Sequence, residues 1–151
     1  MVHVVYCDPK ENELDNIISK KKTMVIRGAA GRKIPHSRVF KGDILYFMEK
    51  GSKLITAKAT VSDVKNYVKL SDEGITKILD ENQTKLLLSS KQKQRWHKRS
   101  LILVEFTNVT PIKPLAFDHQ KNMDDWLIIE KIEDVIVGSS IPYDYSKSKF
   151  K

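Results

Sequence analysis

The chain has 151 residues, of which 40% are hydrophobic and 30% charged, a composition typical of one folded domain with its own core and not of a disordered chain. It contains no apolar run near the ~20 residues of a membrane-spanning helix, and its single cysteine, Cys7, excludes an internal disulfide and suits a cytoplasmic protein. The net charge of +8 favours a polyanionic partner, and the lack of a long apolar run predicts no membrane partner.

In chain order, short apolar stretches bounded by turn residues predict the strands of the first half. They cover residues 2–7, 23–26, 44–48 and 55–62. Between the first two, Leu14, Ile17 and Ile18 recur at helical spacing, which predicts a helix that ends near Lys22. In 55–62 small apolar residues alternate with polar ones, which indicates a half-buried strand in a curved sheet.

The second half predicts two helical stretches and further strands. Ser71 is placed to cap the first helix, whose apolar residues continue to Leu88. The chain breaks at Ser89 and resumes as a helix through the basic residues that follow. The predicted strands cover residues 101–106, 126–129 and 135–137. Pro111 and Pro114 predict a loop between the first two of these strands.

These elements predict an α+β fold, a small mixed β-barrel with two main helical regions packed outside. No linker or repeat divides the chain, so one domain is expected to span residues 1–138. Residues 139–151 are rich in Ser, Tyr and Lys and are expected to form a flexible basic tail.

The positive charge is concentrated in two segments that contain no acidic residue. Residues 16–42 hold eight Lys and Arg side chains, and residues 82–104 hold six. The other 101 residues carry 13 basic and 19 acidic side chains, a net charge of −6. A protein polarised in this way has a face suited to phosphates, because each neutralised phosphate releases counterions and adds binding free energy. A solvated lysine-rich surface is the alternative interpretation.

Two short motifs resemble the ASCH pattern of the PUA-like superfamily, and the chain is also similar to EVE-type domains. Residues 22–27, KTMVIR, place a lysine at a helix end before a strand that ends in arginine, and residues 41–43, KGD, form the turn into the next strand. The glycine usual two positions before the lysine is Lys20 here. The resemblance covers most of residues 2–137. It implies a small β-barrel with a groove in which many members bind RNA or modified nucleobases.

The resemblance places the family's lysine on Lys22 and its strand-end arginine on Arg27. Some ASCH proteins are amidohydrolases that act on acetylated cytidine with a Lys, a Thr and a Glu. The threonine position is Val25 here, which can neither position a water nor donate a proton. The carboxylate falls on Glu73 or Asp72. The resemblance therefore implies binding more strongly than catalysis.

Residues 27–33, RGAAGRK, combine small residues with three cations. Gly28 and Gly31 would let backbone N–H groups approach an anion, and a plain connecting loop is the alternative. The segment is neither a P-loop nor a Rossmann fingerprint, so no nucleotide cofactor is expected.

Residues 91–99, KQKQRWHKR, place Trp96 among cations. Bases stack on aromatic rings beside such cations in single-stranded nucleic-acid grooves. The alternative is that Trp96 belongs to the core while the charges face water. The histidines do not pair with His, Cys or Glu at ligand spacing, so no metal is expected.

We therefore expect a domain that binds RNA or another polyanion, or a modified nucleotide, in a basic groove whose two sides come from the two acid-free segments. The expected binding residues are Lys22, Arg27, Gly28, Gly31, Arg32, Lys33, Arg38, Lys93, Arg95, Trp96, Lys98 and Arg99. One alternative is an amidohydrolase with Lys22 as base or nucleophile and Glu73 as carboxylate. Another is a protein-interaction module with an apolar surface patch.

Overall fold

The computed structural model describes residues 1–118 and 125–139. The basic tail predicted for residues 139–151 lies, beyond Ser139, outside the described residues. Within them, no helix is long and apolar enough to cross a membrane.

The described residues contain six strands in one mixed sheet. The strands are β1 (Val2–Cys7), β2 (Met24–Ala29), β3 (Ile44–Glu49), β4 (Leu54–Tyr67), β5 (Ser100–Ala116) and β6 (Trp126–Ile129). Their order is β2-β5-β4-β3-β1-β6, with β1 parallel to β3 and the other neighbours antiparallel. The sheet curls into a half-barrel, which confirms the predicted α+β fold.

Four helices pack outside the sheet. They are α1 (Glu13–Ile18), α2 (Asp72–Glu81), α3 (Gln83–Leu86) and α4 (Ser90–Arg95). The predicted cap is confirmed, because the Ser71 hydroxyl accepts from the Gly74 N–H. At the predicted break, the Ser89 hydroxyl caps the next helix by accepting from the Gln92 N–H. Each cap satisfies a backbone donor that the helix leaves unpaired and is worth about 1 kcal/mol.

The first helix is shorter than predicted. It ends at Ile18, and Lys20 adopts a left-handed conformation with φ 66°. The backbone N–H groups of Lys21 and Lys22 both donate to the Asn16 carbonyl. A left-handed residue commonly ends a helix in this way, and glycine adopts that conformation without cost. The position where the resemblance expects glycine is therefore a left-handed position here, filled by lysine.

Two predictions for the last third were wrong. β5 continues through Pro111 and Pro114 instead of forming a loop. Residues 135–137 are not a strand, because Val135 ends a 3₁₀ helix (Ile132–Val135), Ile136 makes an isolated bridge to Phe117, and a turn follows. β2 pairs with β5 only over its first part, Ser100–Glu105, so both prolines lie where β5 borders β4 alone. The N–H that proline lacks costs no ladder hydrogen bond on an unpaired side.

The core positions β2 between two apolar clusters. Val25 packs inside the curl of the sheet with Phe47 and Phe106. Met24 and Ile26 face the other way and form a second cluster with apolar side chains of the helical region and with Trp96. Because strand side chains alternate between faces, the residue after Ile26 points to the same side as Val25. This alternation sends the arginine at position 27 into the interior.

Candidate nucleic-acid interface

Arg27 is held between two tryptophan rings. Its guanidinium carbon lies 5.5 Å from the ring centre of Trp96 and 5.6 Å from that of Trp126, and the residue is only 8% exposed. Its Nη1 donates to the Ile26 carbonyl at 2.7 Å and its Nη2 to the Tyr6 carbonyl at 2.8 Å. Among the described residues, its Nε has no hydrogen-bond partner. A buried donor of this kind needs a partner, which a ligand or water can supply.

A cavity of about 270 Å³ opens beside this guanidinium. Its lining comes from the end of β1, the start of α1, the β3–β4 turn, α4 and the start of β6. The lining residues are Tyr6, Asp8, Pro9, Lys10, Glu13, Arg27, Lys50, Gln92, Arg95, Trp96 and Asp125. Four are cationic and three are carboxylates, so the cavity is nearly balanced in charge. It suits a small polar group that both donates and accepts hydrogen bonds.

Asp125 ties two of these cations together. Its carboxylate accepts from Lys50 Nζ at 2.8 Å and from Arg95 Nη2 at 2.6 Å. Burial alone would raise the pKa of Asp125, but the hydrogen bond from Lys50 and the charges of Arg27, Lys50 and Arg95 outweigh burial and lower it. Arg95 also stacks on Trp96, 4.7 Å from the ring centre. A carboxylate from outside the acid-free segments therefore holds Arg95 over the tryptophan.

Lys22 lies behind the cavity and not on the surface. It is 2% exposed, its Nζ donates to the Leu86 carbonyl, and Glu13 Oε2 is 3.7 Å from Nζ. Burial lowers the pKa of Lys22, and Glu13 opposes that shift. Lys22 is thus enclosed by protein groups and is not placed for direct contact with a surface phosphate.

The carboxylate beside Lys22 is Glu13, which the sequence interpretation missed. Glu73 is exposed and borders a separate hollow with Lys77 and Asp80. A signal for Glu13 was present, because it precedes Ile17 by four residues and so shares the apolar face of α1. The structure thus brings Glu13, and not Glu73, to the lysine.

A second hollow of about 660 Å³ joins the two acid-free segments. It is lined by Ala30, Gly31, Arg32, Val68, Lys69, Leu70, Arg99 and Ser100. Arg99 Nη1 donates to the Leu70 carbonyl at 3.1 Å and lies 2.9 Å from Asp72 Oδ1. We call this place the Arg99 hollow. Arg32 and Arg99, one from each segment, therefore border the same hollow.

The remaining predicted cations are spread more widely. Lys98 is exposed and its Cβ lies next to Gly28, close to the cavity and the Arg99 hollow. Lys93 borders a different hollow with Asp80 and His97. Lys33 is exposed and Arg38 half-buried, and neither borders the cavity or the Arg99 hollow. The structure thus brings together only part of the predicted set.

The two glycines of the loop differ in their surroundings. A Cβ on Gly28 would lie 2.6 Å from Leu101 Cδ2 and 2.8 Å from the Ser100 carbonyl oxygen. A Cβ on Gly31 would meet nothing within 4 Å. Gly28 is therefore needed for the close packing of β2 against β5, which is a different role from the phosphate approach that was predicted.

Gly28→Ala should destabilise the fold by roughly 1–3 kcal/mol, because the backbone of Ser100 cannot move aside without disturbing β5. Gly31→Ala is the matched control and should change the free energy of unfolding by less than about 0.5 kcal/mol. Urea denaturation of both variants measures this difference. Equal stability of the two variants would contradict the close packing at Gly28.

A chain of buried hydrogen bonds holds the Trp126 ring in place. Trp126 Nε1 donates to His3 Nδ1 at 3.0 Å, so the proton of His3 is on Nε2, which donates to Asp43 Oδ2 at 2.8 Å. The amino group of Met1 lies 3.2 Å from the other oxygen of Asp43. Burial lowers the pKa of His3, and the hydrogen bond to Asp43 offsets part of that shift. His3 is therefore held neutral, with Trp126 fixed against Arg27.

Acidification should destabilise the protein through His3. The unfolded chain takes up a proton near the ordinary value of 6.5, whereas folded His3 does so only at lower pH. Stability is thus complete above that value and falls as the pH drops toward the lowered pKa. Urea unfolding at about pH 7.5 and about pH 5.5 should show this loss, and His3→Gln should remove most of the pH dependence. If the stability of His3→Gln fell with pH as much as that of the wild type, groups other than His3 would cause the loss. His97→Gln, at an exposed histidine, is the control.

No protein-family model matches the sequence, and neither does any curated protein. Among solved structures, the ASCH protein of Zymomonas mobilis aligns with a TM-score of 0.57 and 16% identity over 75% of this chain and 71% of that chain. Two point-mutant forms of the same protein give TM-scores of 0.58 over 76% of this chain. The chain has the ASCH-type fold. The ASCH resemblance of the two sequence motifs is thereby confirmed at the level of the fold.

Proposed function

We propose that the protein binds single-stranded RNA, with a base in the cavity beside Arg27 and phosphates along the adjoining ends of β2 and β5. The observation that carries the proposal is the convergence of the two acid-free segments at this edge. β2 and β5 are antiparallel, and Ala29 pairs with Ser100. The residues after Ala29 and those before Ser100 must therefore leave the sheet side by side.

The cavity chemistry supports a base as the occupant. The edge of a nucleobase carries both donors and acceptors, and the lining offers the carboxylate of Glu13 and the amide of Gln92 beside the guanidinium of Arg27. Trp96 adds an aromatic ring at the wall. A near balance of charge in the cavity suits the neutral base better than the phosphate.

The salt dependence of RNA binding tests the proposal. Fluorescence anisotropy with a labelled random-sequence RNA hexamer should show affinity falling about 20- to 50-fold between about 50 and 200 mM salt, as expected for three or four phosphate contacts to a single strand. Lys98→Gln should weaken binding about threefold, whereas Lys113→Gln, an exposed lysine in the distal half of β5, should leave it unchanged. Binding that ignores salt, or no binding, would contradict the proposal.

A second candidate, an amidohydrolase, is favoured by the buried Lys22–Glu13 pair. Glu13 lines the cavity and Lys22 lies next to Glu13. The lowered pKa of Lys22 increases the fraction of its amine that is unprotonated and able to act as a base or nucleophile. Val25 is fully buried in the core, so it supplies no hydroxyl to the cavity. Acetate release from acetylated cytidine that Glu13→Gln abolishes would establish this activity. Equal and negligible release by wild type and variant would remove it.

A further inference from the structure

We propose that the Arg99 hollow is a phosphate subsite for the nucleotide next to the one whose base enters the cavity. The inference rests on the proposed RNA binding and makes it more specific, because the ligand must then be an oligonucleotide and not a free nucleoside. Arg32, Lys69 and Arg99 would contact the phosphate. Lys69 lies outside both acid-free segments, so the charge pattern of the sequence did not single it out.

The Arg99 hollow is more positively charged than the cavity beside Arg27, as a phosphate subsite requires. The lining of the Arg99 hollow contains three cations, and the one carboxylate described beside them, Asp72, pairs with Arg99 from outside the lining. The cavity lining contains four cations and three carboxylates. A phosphodiester carries a full negative charge and a base is neutral. Electrostatic attraction therefore draws the phosphate to the hollow and leaves the balanced cavity to the base.

Arg99 is held in position before any ligand arrives. Its backbone carbonyl accepts from the Leu70 N–H at 3.0 Å, while its side chain donates back to the Leu70 carbonyl. Among the described residues, Arg99 contacts the Leu70 carbonyl and the Asp72 carboxylate, and both contacts use Nη1. The Nη2 side of the guanidinium therefore remains for a ligand. A cation fixed in this way loses little conformational entropy on binding.

The hollow also has an apolar part that a free inorganic anion would not use. Ala30, Val68 and Leu70 line it, and Val68 is 49% exposed. A ribose or base edge can cover this apolar surface while its phosphate meets the cations. The combination fits a nucleotide better than an isolated phosphate or sulfate ion.

The spacing of the two sites fits neighbouring nucleotides. Arg27 borders the cavity and Ala30 borders the hollow, and three residues of extended strand separate them by about 10 Å. The Cβ of exposed Lys98 lies beside Gly28, between these two points. The connecting sugar–phosphate backbone would therefore pass close to this lysine.

Tryptophan fluorescence and a matched lysine pair provide the test. The chain contains two tryptophans, and both flank Arg27, so fluorescence quenching reports occupancy of the cavity. Lys69 and Lys53 are both exposed, both left-handed with φ 52° and 57°, and lie at opposite ends of β4. Lys69→Gln removes the proposed contact, and Lys53→Gln removes the same charge from the same backbone conformation elsewhere.

Lys69→Gln should weaken binding of an RNA hexamer about three- to tenfold and reduce the slope of log affinity against log salt by about 0.7, the value for one phosphate contact. Binding of the four free nucleosides should be unchanged, and Lys53→Gln should match wild type in both assays. Arg32→Gln should repeat the Lys69→Gln result. Equal effects of Lys69→Gln and Lys53→Gln, or nucleosides binding as tightly as the hexamer, would overturn the subsite. Failure of wild type to bind RNA at all would instead overturn the proposed function.

Discussion

Arg27→Ala should abolish RNA binding and lower the free energy of unfolding by about 3 kcal/mol or more. The substitution leaves a void between Trp96 and Trp126 and removes the donors that satisfy the Ile26 and Tyr6 carbonyls. Arg27→Lys should also bind poorly, because an ammonium cannot fill the planar space between two rings while donating in two directions. Urea denaturation and RNA anisotropy measure the two effects separately.

Arg32→Ala is the control for this prediction. Arg32 is exposed, so its loss should change the free energy of unfolding by less than about 0.5 kcal/mol while weakening RNA binding. Comparing the two variants separates the effect of a buried arginine on both stability and binding from the effect of an exposed arginine on binding. If Arg27→Ala kept wild-type stability and RNA affinity, the ring-stacked arginine would have neither role.

Lys22→Met should lower the free energy of unfolding by about 3–5 kcal/mol, because it leaves the buried carboxylate of Glu13 without its nearest counter-charge. Glu13→Gln should also destabilise, since it leaves the buried ammonium unpaired. The double variant Lys22→Met/Glu13→Gln buries no charge at this place. Its loss of stability should therefore be clearly smaller than the sum of the two single losses.

A double-mutant cycle from urea denaturation gives the coupling energy of this pair. The solvent-exposed pair Lys77 and Glu81, 3.9 Å apart on α2, provides a matched cycle. Its coupling should be no more than about 0.5 kcal/mol, since water screens both charges. Strictly additive losses at Lys22 and Glu13 would mean that the two groups do not depend on each other.

The fold was predictable where local signals decide the structure. The cap at Ser71, the break at Ser89 and the apolar strands needed no tertiary information, because neighbouring residues supply the physical cause. The loop prediction at the prolines of β5 was wrong because a proline disrupts a strand only where its missing N–H would have bonded to a neighbouring strand. The local sequence does not show which side of β5 is unpaired.

The candidate site was predictable only in part. Arg27 was identified from the KTMVIR motif, and Trp96 was identified because basic residues surround it in the sequence. Glu13 and Asp125 were missed, because they reach the cavity from elements that are distant in sequence and only the sheet order brings them there. The packing role of Gly28 was also missed, since the Ser100 backbone that requires glycine comes from another strand.

The electrostatic prediction was also modified by tertiary structure. The acid-free segments do converge, but Asp125 binds Arg95 at the cavity and Asp72 binds Arg99 at the hollow. Both carboxylates have lowered pKa values, Asp125 through Lys50, Arg27 and Arg95 against the opposing effect of burial, and Asp72 mainly through hydrogen bonding with His97 and the charge of Arg99. The surface is therefore a set of positioned cations with fixed counter-charges, which favours a specific binding geometry over a diffuse basic patch.

Photo-crosslinking tests most directly whether the two segments form one RNA surface. A short RNA carrying photoreactive uridines, crosslinked to the protein and mapped by mass spectrometry, should label Trp96 or its neighbours in residues 91–99 and also residues 27–33 within the same complex. Unlabelled RNA should compete away both signals together. Crosslinks confined to the opposite end of β4 near Lys53, or to one segment only, would contradict the convergence on which the proposed function depends.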